Sequence, residues 1–343
     1  MQCKPGVGFF MKPSEMVSVI IVNWNGRNLL SDCLNGLRDQ AFRQFKTILV
    51  DNGSTDGSVA FVSENYPEVK IIALEENSGF AAGNNIAINQ AKTKYIALLN
   101  NDAVPHRLWL QHLVEALELY PEAGFAASKM LFYSNPEVID RAGDAYTRAG
   151  TGLLRGRGTQ ARHYDSKEWI FGACAGAALY RLTMLEDIGL FDEDFFLVYE
   201  DVDLSFRAQL KGYKCIFVPE ALAYHKASSS IVHDSPISVY YSHRNLEWVY
   251  VKNMPAGLIL KTICPHVVYD IGAFFFFAAN GRLREFARAK RDALGEMKGA
   301  LAKRRRIQNN SKVDKLYIWG LFEKERFVQR LTRRLGKGSP NTR

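Results

Sequence analysis

Four stretches gather the side chains that could hold a metal ion, a phosphate or a proton. The first is Tyr95-Ile-Ala-Leu-Leu-Asn-Asn-Asp102, an apolar run that ends abruptly in two amides and a carboxylate. Hard oxygen ligands at a strand end suit Mg²⁺ or Mn²⁺ bound together with substrate phosphates; Asp102 also suits a cap or turn before Pro105. The second is Asp51-Asn-Gly-Ser-Thr-Asp-Gly-Ser58. A carboxylate there accepts from a base N–H or a ribose hydroxyl, although Asp and Ser are equally turn and cap formers. The third is Asn77-Ser-Gly-Phe-Ala-Ala-Gly-Asn-Asn85. Gly79 and Gly83 permit close backbone approach, and a helix start offers free amides to an anion; capped glycine loops are also common. The fourth is Glu200-Asp201-Val-Asp203. Three carboxylates in a first helical turn complement the helix dipole, and one of them held near a hydroxyl is a general base. His225, after a short apolar stretch, suits a metal site or a satisfied core position.

These residues need strands and helices to bring them together. Val17–Val22, Thr47–Val50, Val69–Leu74, Tyr95–Leu99 and Gly124–Met130 read as strands. Leu29–Leu37, Ala81–Gln90 and Leu108–Leu119 carry helical spacing between them. This alternation predicts βαβ units and a mostly parallel sheet covered on both faces. In open sheets of that kind ligands sit at the C-terminal strand ends. From Leu131 to about Lys167 the pattern lapses, and polar Arg155-Gly-Arg-Gly158 marks an insertion, a hairpin or a mobile loop. Periodicity returns at Trp169–Tyr180, a helix starts near Asp201, Lys214–Val218 is a strand closed by Pro219, and Ala223–Lys226 is a further short strand or a strand end. No Gly-x-Gly-x-x-Gly follows the first strand and no Walker-type loop occurs, which argues against a dinucleotide oxidoreductase and a P-loop nucleotidase.

The charge is unevenly spread over the 343 residues. The first 242 carry 22 Lys/Arg against 28 Asp/Glu, and the last 101 carry 22 against 8. A basic C-terminal part meets something anionic, and it lacks the interleaved aromatics or motif of a nucleic-acid binder. Ile271–Ala279 is the most apolar run, shorter than a membrane span and interrupted upstream by Lys261, His266 and Asp270. An interfacial or buried helix is expected there, with Lys303-Arg-Arg-Arg306 and Arg333-Arg334 facing anionic headgroups. Five scattered cysteines without a Cys-x-x-Cys pair fit a reducing compartment and argue against zinc. No apolar segment of signal-peptide length precedes Val17, and Met11 or Met16 is an alternative start.

The ordered set Val19-Ile-Ile-Val-Asn-Trp-Asn25, Val50–Ser58, Asn77–Asn85, Leu98–Asp102, Gly189-Leu-Phe-Asp-Glu193, Tyr199–Leu204 and Val218-Pro-Glu-Ala221 with His225 resembles the family 2 glycosyltransferases. It is most similar to the bacterial rhamnosyltransferase-like members that build cell-surface polysaccharides. The resemblance spans about Val17 to Ser230 and, loosely, Tyr241–Lys252. It implies an α/β GT-A fold, Rossmann-like, with residues 17–130 as the nucleotide-binding half and 131–238 as the acceptor-binding half. Residues 1–16 are then an extension, and 239–343 a helical, basic, membrane-associated one. It implies inverting, metal-dependent transfer from a nucleotide-diphosphate sugar, first dTDP-rhamnose, to a saccharide or lipid-linked saccharide at the cytoplasmic face of the cell membrane. UDP-hexose, UDP-galactofuranose and non-catalytic binding are the alternatives. By position, Asp201 is the implied base with Glu200 beside it. Asn23, Asp51, Asn77, Gly79, Gly83, Asn84, Asn101 and Asp102 contact the donor, and Asp102 and His225 hold Mg²⁺ or Mn²⁺. Arg207 and Lys226 are weaker candidates for phosphate. The family's Asp-x-Asp here reads Asn100-Asn101-Asp102, which leaves one carboxylate and a lower metal affinity.

Overall fold

The computed structural model describes residues 15–226 and 235–324. Cys3, Met11 and Arg333-Arg334 lie outside the described residues. The first half alternates as expected: β1 (Val17–Asn23), α1 (Arg27–Arg38), β2 (Phe45–Asn52), α2 (Ser58–Asn65), β3 (Lys70–Leu74), α3 (Gly79–Ile88), β4 (Tyr95–Leu99). A short β5 (Ala103–Pro105) precedes α4 (Trp109–Leu119) and the long β6 (Ala123–Phe132). The stretch without a clear pattern folds as strands: β7 (Asn135–Arg141), β8 (Asp144–Tyr146), β9 (Gly152–Leu154) and β10 (Glu168–Ile170). Then come β11 (Ala177–Arg181), α5 (Leu182–Ile188), α6 (Glu200–Lys211) and β12 (Lys214–His225). Five helices close the described chain: α7 (Pro236–Asn253), α8 (Ala256–Ala279), α9 (Leu283–Gly295), α10 (Met297–Asn309) and α11 (Lys315–Leu321).

The main sheet runs β10-β12-β6-β11-β4-β1-β2-β3, with β5 on β12 and β7 on β6. β1 pairs parallel with both β2 and β4, as their apolar, doubly buried sequences require. β11 is antiparallel to β4 and β6 and joins the two halves. Leu30, Leu34, Val62, Trp109 and Leu113 cover one face, and Ala81, Ile88, Met184, Leu204 and Ala208 the other. Each face buries a helix stripe at 3–4 residue spacing, the main driving force for this layering.

Two elements differ from the sequence reading. Lys214–His225 is one strand that continues past Pro219, and Ala223–His225 is its end. Its register on β6 passes from Val218↔Ser128 directly to Leu222↔Lys129, so Pro219, Glu220 and Ala221 form a bulge. A proline lacks the ladder N–H and is tolerated there. The apolar Ile271–Ala279 run is the end of a continuous 24-residue helix, long and apolar enough by length and composition to cross a membrane. Lys261, His266 and Asp270 do not interrupt it, because His266 and Asp270 lie on the face packed against the protein.

Candidate active site

Parallel pairing of β1 with β2 and β4 places Asn23, Asp51 and the Asn100–Asp102 loop at adjacent strand ends. Asn101 Nδ2 donates to Asn23 Oδ1 at 2.8 Å, and Asn23 Nδ2 donates to Asp51 Oδ1 at 3.0 Å. The Ser54 amide donates to the other Asp51 oxygen at 2.9 Å. Gly26 is required beside this chain: a Cβ there would sit 2.2 Å from Asn101 Nδ2 and 2.5 Å from Asn23 Oδ1. All three strand ends are thus locked into one polar floor.

Asp102 then meets His225, because β5 pairs His225 with Ala103. His225 Nε2 lies 3.0 Å from Asp102 Oδ1, and its Nδ1 lies 2.9 Å from Asp140 Oδ2 in β7. Arg157 pairs with Asp140 at 2.5 Å. Burial opposes a charge on His225, but hydrogen bonds to the two carboxylates outweigh it and raise its pKa to about 9. A carboxylate on the far nitrogen is the arrangement that orients a metal-binding imidazole. Asp102 and His225 therefore fit a divalent cation that takes its other ligands from phosphate oxygens and water. The three-ligand cluster among the described residues, Glu247, His266 and Asp270, lies elsewhere and already holds the Lys290 ammonium, 2.6 Å from Asp270.

The residue after Asp140 reaches the second group of carboxylates. Arg141 Nη1 lies 3.7 Å from Asp144, 4.0 Å from Asp201 and 3.0 Å from Cys174 Sγ. Asp201 Oδ2 accepts from the Ala175 amide at 3.3 Å, and the neighbouring Gly176 carbonyl accepts from the Asn100 amide at 2.9 Å. Ala175 and Gly176, consecutive residues of the turn before β11, thus touch Asp201 and the Asn100–Asp102 loop. Burial first, and then the Asp201 charge, push Glu200 up to about 8 and Asp144 well above the usual carboxylate range. Glu200 Oε2 is buried without a hydrogen-bond partner among the described residues.

The loop before Glu200 is strained. Phe196, Val198 and Tyr199 have φ of +55°, +57° and +71°, a backbone region that non-glycine residues enter at a cost. Asn245 of α7 holds it: its Nδ2 donates to the carbonyls of Phe195, Leu197 and Val198 at 2.8–2.9 Å. Below Asp201, buried Asp203 accepts from Arg207 Nε, Lys252 Nζ and Asn253 Nδ2, each at 2.8 Å. A division at residue 238 runs through the first turn of α7, and α7 is fastened directly to the candidate base helix.

Several expected donor contacts are committed elsewhere. Ser78 and Gly79 donate their amides to Asn52 Oδ1 and Asn77 Oδ1, and Phe80 donates to the Phe196 carbonyl at 2.7 Å. Those amides are not free for an anion. Gly79, at φ +89°, has no room for a side chain because Phe196 O would lie 2.7 Å from its Cβ. Gly83 packs against Val22, and Asn84 Nδ2 donates to the Phe80 carbonyl. The glycine loop therefore docks the strained loop before Glu200 onto the N-terminal half. The Arg207 guanidinium is engaged within the protein: its Nη atoms donate to the carbonyls of Ile188, Gly189 and Leu190. Lys226 pairs with Asp32. Lys303 pairs with Asp192 and Asp194, and Arg304 caps the carbonyls of Val251 and Met254, so only Arg305 and Arg306 of that cluster are exposed.

Asp140, Arg141, Asp144, Arg157 and Asn245 were absent from the sequence reading as site residues. For Asp140, Arg141 and Asp144 the signal was a charged run, Asp140-Arg-Ala-Gly-Asp144, in a stretch with no apolar period.

Residues 18–189 match the family described as glycosyl transferase family 2. The chain is 24% identical over 277 residues, 71% of its length and 86% of the relative's, to N-acetylglucosaminyl-diphospho-decaprenol L-rhamnosyltransferase of Mycobacterium tuberculosis H37Rv. Among solved structures, GalNAc-T7 with UDP, GalNAc and Mn²⁺ superposes with a TM-score of 0.62 at 15% identity, covering 94% of this chain and 58% of that one. The mannosyltransferase PcManGT of Pyrobaculum calidifontis with GDP-Man and Mn²⁺ gives 0.52 at 17% identity, covering 97% and 92%. At such identities the structures establish the fold alone, and that fold is GT-A. The strand-end floor, the Asp102–His225 pair and the family match lead to one assignment: the chain belongs to glycosyl transferase family 2.

Proposed function

We propose that the protein is an inverting glycosyltransferase that moves a sugar from a nucleotide-diphosphate donor to a saccharide or lipid-linked saccharide in cell-surface polysaccharide synthesis. The observation that carries this is the juxtaposition through β7: Asp140 orients the candidate metal ligand His225, and Arg141 faces the candidate base Asp201. Rhamnose from dTDP-rhamnose is the first donor to test, on the likeness to the mycobacterial rhamnosyltransferase. The enzyme works at the inner face of the cell membrane, where a lipid-linked acceptor lies.

Asp51 accepts from the base or ribose of the donor, and Asn23 and Asn101 hold it in place. Asp102 and His225 would hold Mg²⁺ or Mn²⁺, whose chemistry when bound is to neutralise charge on a departing diphosphate. Asp201 takes the proton of the acceptor hydroxyl as that oxygen attacks the anomeric carbon. The bond from that carbon to the diphosphate oxygen breaks, its electron pair leaves with the nucleotide, and configuration inverts. Burial and the neighbouring Asp201 charge raise the pKa of both Asp144 and Glu200, so these two carboxyls hold their protons more tightly than free ones do. General-base assistance is worth about 10²–10⁴-fold. Asp201→Asn should lose turnover on that scale and keep donor affinity, measured by nucleotide release and by thermal shift over a panel of nucleotide sugars with and without Mn²⁺. Near-normal turnover in that variant would remove Asp201 from the role. A donor that binds but is never consumed, with any acceptor, would favour a non-catalytic binding protein.

A further inference from the structure

The outer side of α8 has no protein cover among the described residues. Leu260, Ile263, Val267, Ile271, Phe274 and Phe275 recur at helical spacing and are all exposed, Leu260 at 83% and Phe275 at 65%. From Ile263 to Ala279 no exposed residue of this helix is charged. An uninterrupted apolar face of that length marks an interaction surface rather than ordinary scatter. Its ends carry cations: exposed Lys261 in its first turns and exposed Arg284 just past the turn into α9. Residues 256–309 together hold 11 Lys/Arg against 4 Asp/Glu.

We infer that this face lies in the interfacial layer of an anionic lipid bilayer, with the helix in the membrane plane. The inference deepens the membrane placement proposed above and rests on it. The packed side of α8 decides against a span. His266 Nε2 lies 3.2 Å from Glu247, His266 Nδ1 donates to the Ala149 carbonyl at 2.8 Å, and Asp270 pairs with Lys290 at 2.6 Å. A spanning helix would carry these groups into hydrocarbon, where charges are expensive. Lying flat, the helix keeps every one of those bonds and immerses only its apolar side, as interfacial helices do. Charge decides against a second copy of this chain. A two-fold contact sets the same patch against itself, here a basic segment against a basic segment, whereas an anionic headgroup layer offers the opposite sign.

The test is co-sedimentation of the full chain with phosphatidylcholine vesicles, with and without phosphatidylglycerol. Wild type should bind the anionic vesicles, and Ile271→Glu combined with Phe275→Glu should weaken binding by roughly tenfold or more, since both charges enter the apolar layer. Melting temperature and nucleotide thermal shift should be unchanged in the variant, which shows that it is folded. Equal binding of wild type and variant overturns the role of this face while membrane placement stands. No binding by wild type overturns both. A vesicle-indifferent dimer in ultracentrifugation that the variant makes monomeric assigns the face to self-association and overturns the inference. Sugar transfer is read separately by nucleotide release, so it survives or fails on its own.

Discussion

Asn245→Ala tests how the candidate base is held. The Asn245 amide has two hydrogens and serves three carbonyls of the loop that enters α6. Removing it forfeits about two hydrogen bonds at roughly 1 kcal/mol each, and leaving the buried Phe195 carbonyl less well met adds about 1–2 kcal/mol. The total, about 3–4 kcal/mol, matches the strain stored in three residues at positive φ, at about 1 kcal/mol or more apiece. The loop therefore relaxes when the clamp is lost, and Glu200 and Asp201 move with it. Displacement of a reacting group by about 1 Å costs on the order of 10²-fold. The expected outcome is a fall in kcat of about 10- to 100-fold with donor KM within a factor of two, because Asp51 and Asp102 sit on other strands. Steady-state nucleotide release gives both constants, and circular dichroism gives the Tm, which should fall by several degrees. A kcat within twofold of wild type in a folded variant with lowered Tm would refute the reasoning, since the loop would then keep its shape unaided.

Asp102→Ala should weaken Mn²⁺-dependent donor binding by at least about tenfold in titration calorimetry, because it removes the one charged ligand of a two-ligand site; unchanged affinity with metal present would exclude it as a ligand. Lys252→Met leaves buried Asp203 with one cation fewer and should cost about 3–5 kcal/mol in denaturant unfolding. The contacts of α8 should be pH-dependent. Burial works against the charge on Glu247, but His266 and Lys290 outweigh it and lower its pKa to about 2 from 4.5. That stabilisation is complete above about 4.5 and drains away as pH falls toward 2. Burial likewise opposes charge on His266, but Glu247 raises its pKa above 6.5, so its share is complete below 6.5 and is lost as pH rises through the raised value. Protection of α8 amides, taken relative to the intrinsic exchange rate at each pH, should therefore be greatest between about pH 4.5 and 6.5, and Glu247→Gln should flatten the acid side.

The N-terminal half was legible because β1, β4 and most of β2 are buried on both faces. Tyr95–Leu99 has no polar residue to hide its boundary, so the change to Asn100-Asn101-Asp102 stands out at the strand end. The acids at Glu200–Asp203 were legible as a helix start by the same contrast. The Leu131–Lys167 segment was not, because β7 opens on exposed residues and its two working side chains are charged. Only their tertiary partners, His225 and Asp201, make them part of a site. Nor does a sequence disclose which cation is already spoken for. Arg207 lies in a helix beside three carboxylates, as a phosphate ligand would, yet three carbonyls from the α5–α6 connection claim its guanidinium. Lys303 looked like a headgroup contact until Asp192 and Asp194 took it.

The bulge in β12 works as a phase shifter. Side chains along a strand alternate between faces, so an odd change in length exchanges the two sets. Four steps on β12, from Val218 to Leu222, are matched by one step on β6, from Ser128 to Lys129. Alternation is therefore reversed beyond the bulge, and His225 emerges on the side where Asp102 waits. Deleting a single residue among Pro219, Glu220 and Ala221 with the path of the strand kept would bring Lys226 to the place of His225, with every residue of the site still in the chain. Deleting two would restore the parity. Tolerance to insertion and deletion at this spot should thus follow even and odd numbers rather than size, a rule foreign to ordinary surface loops.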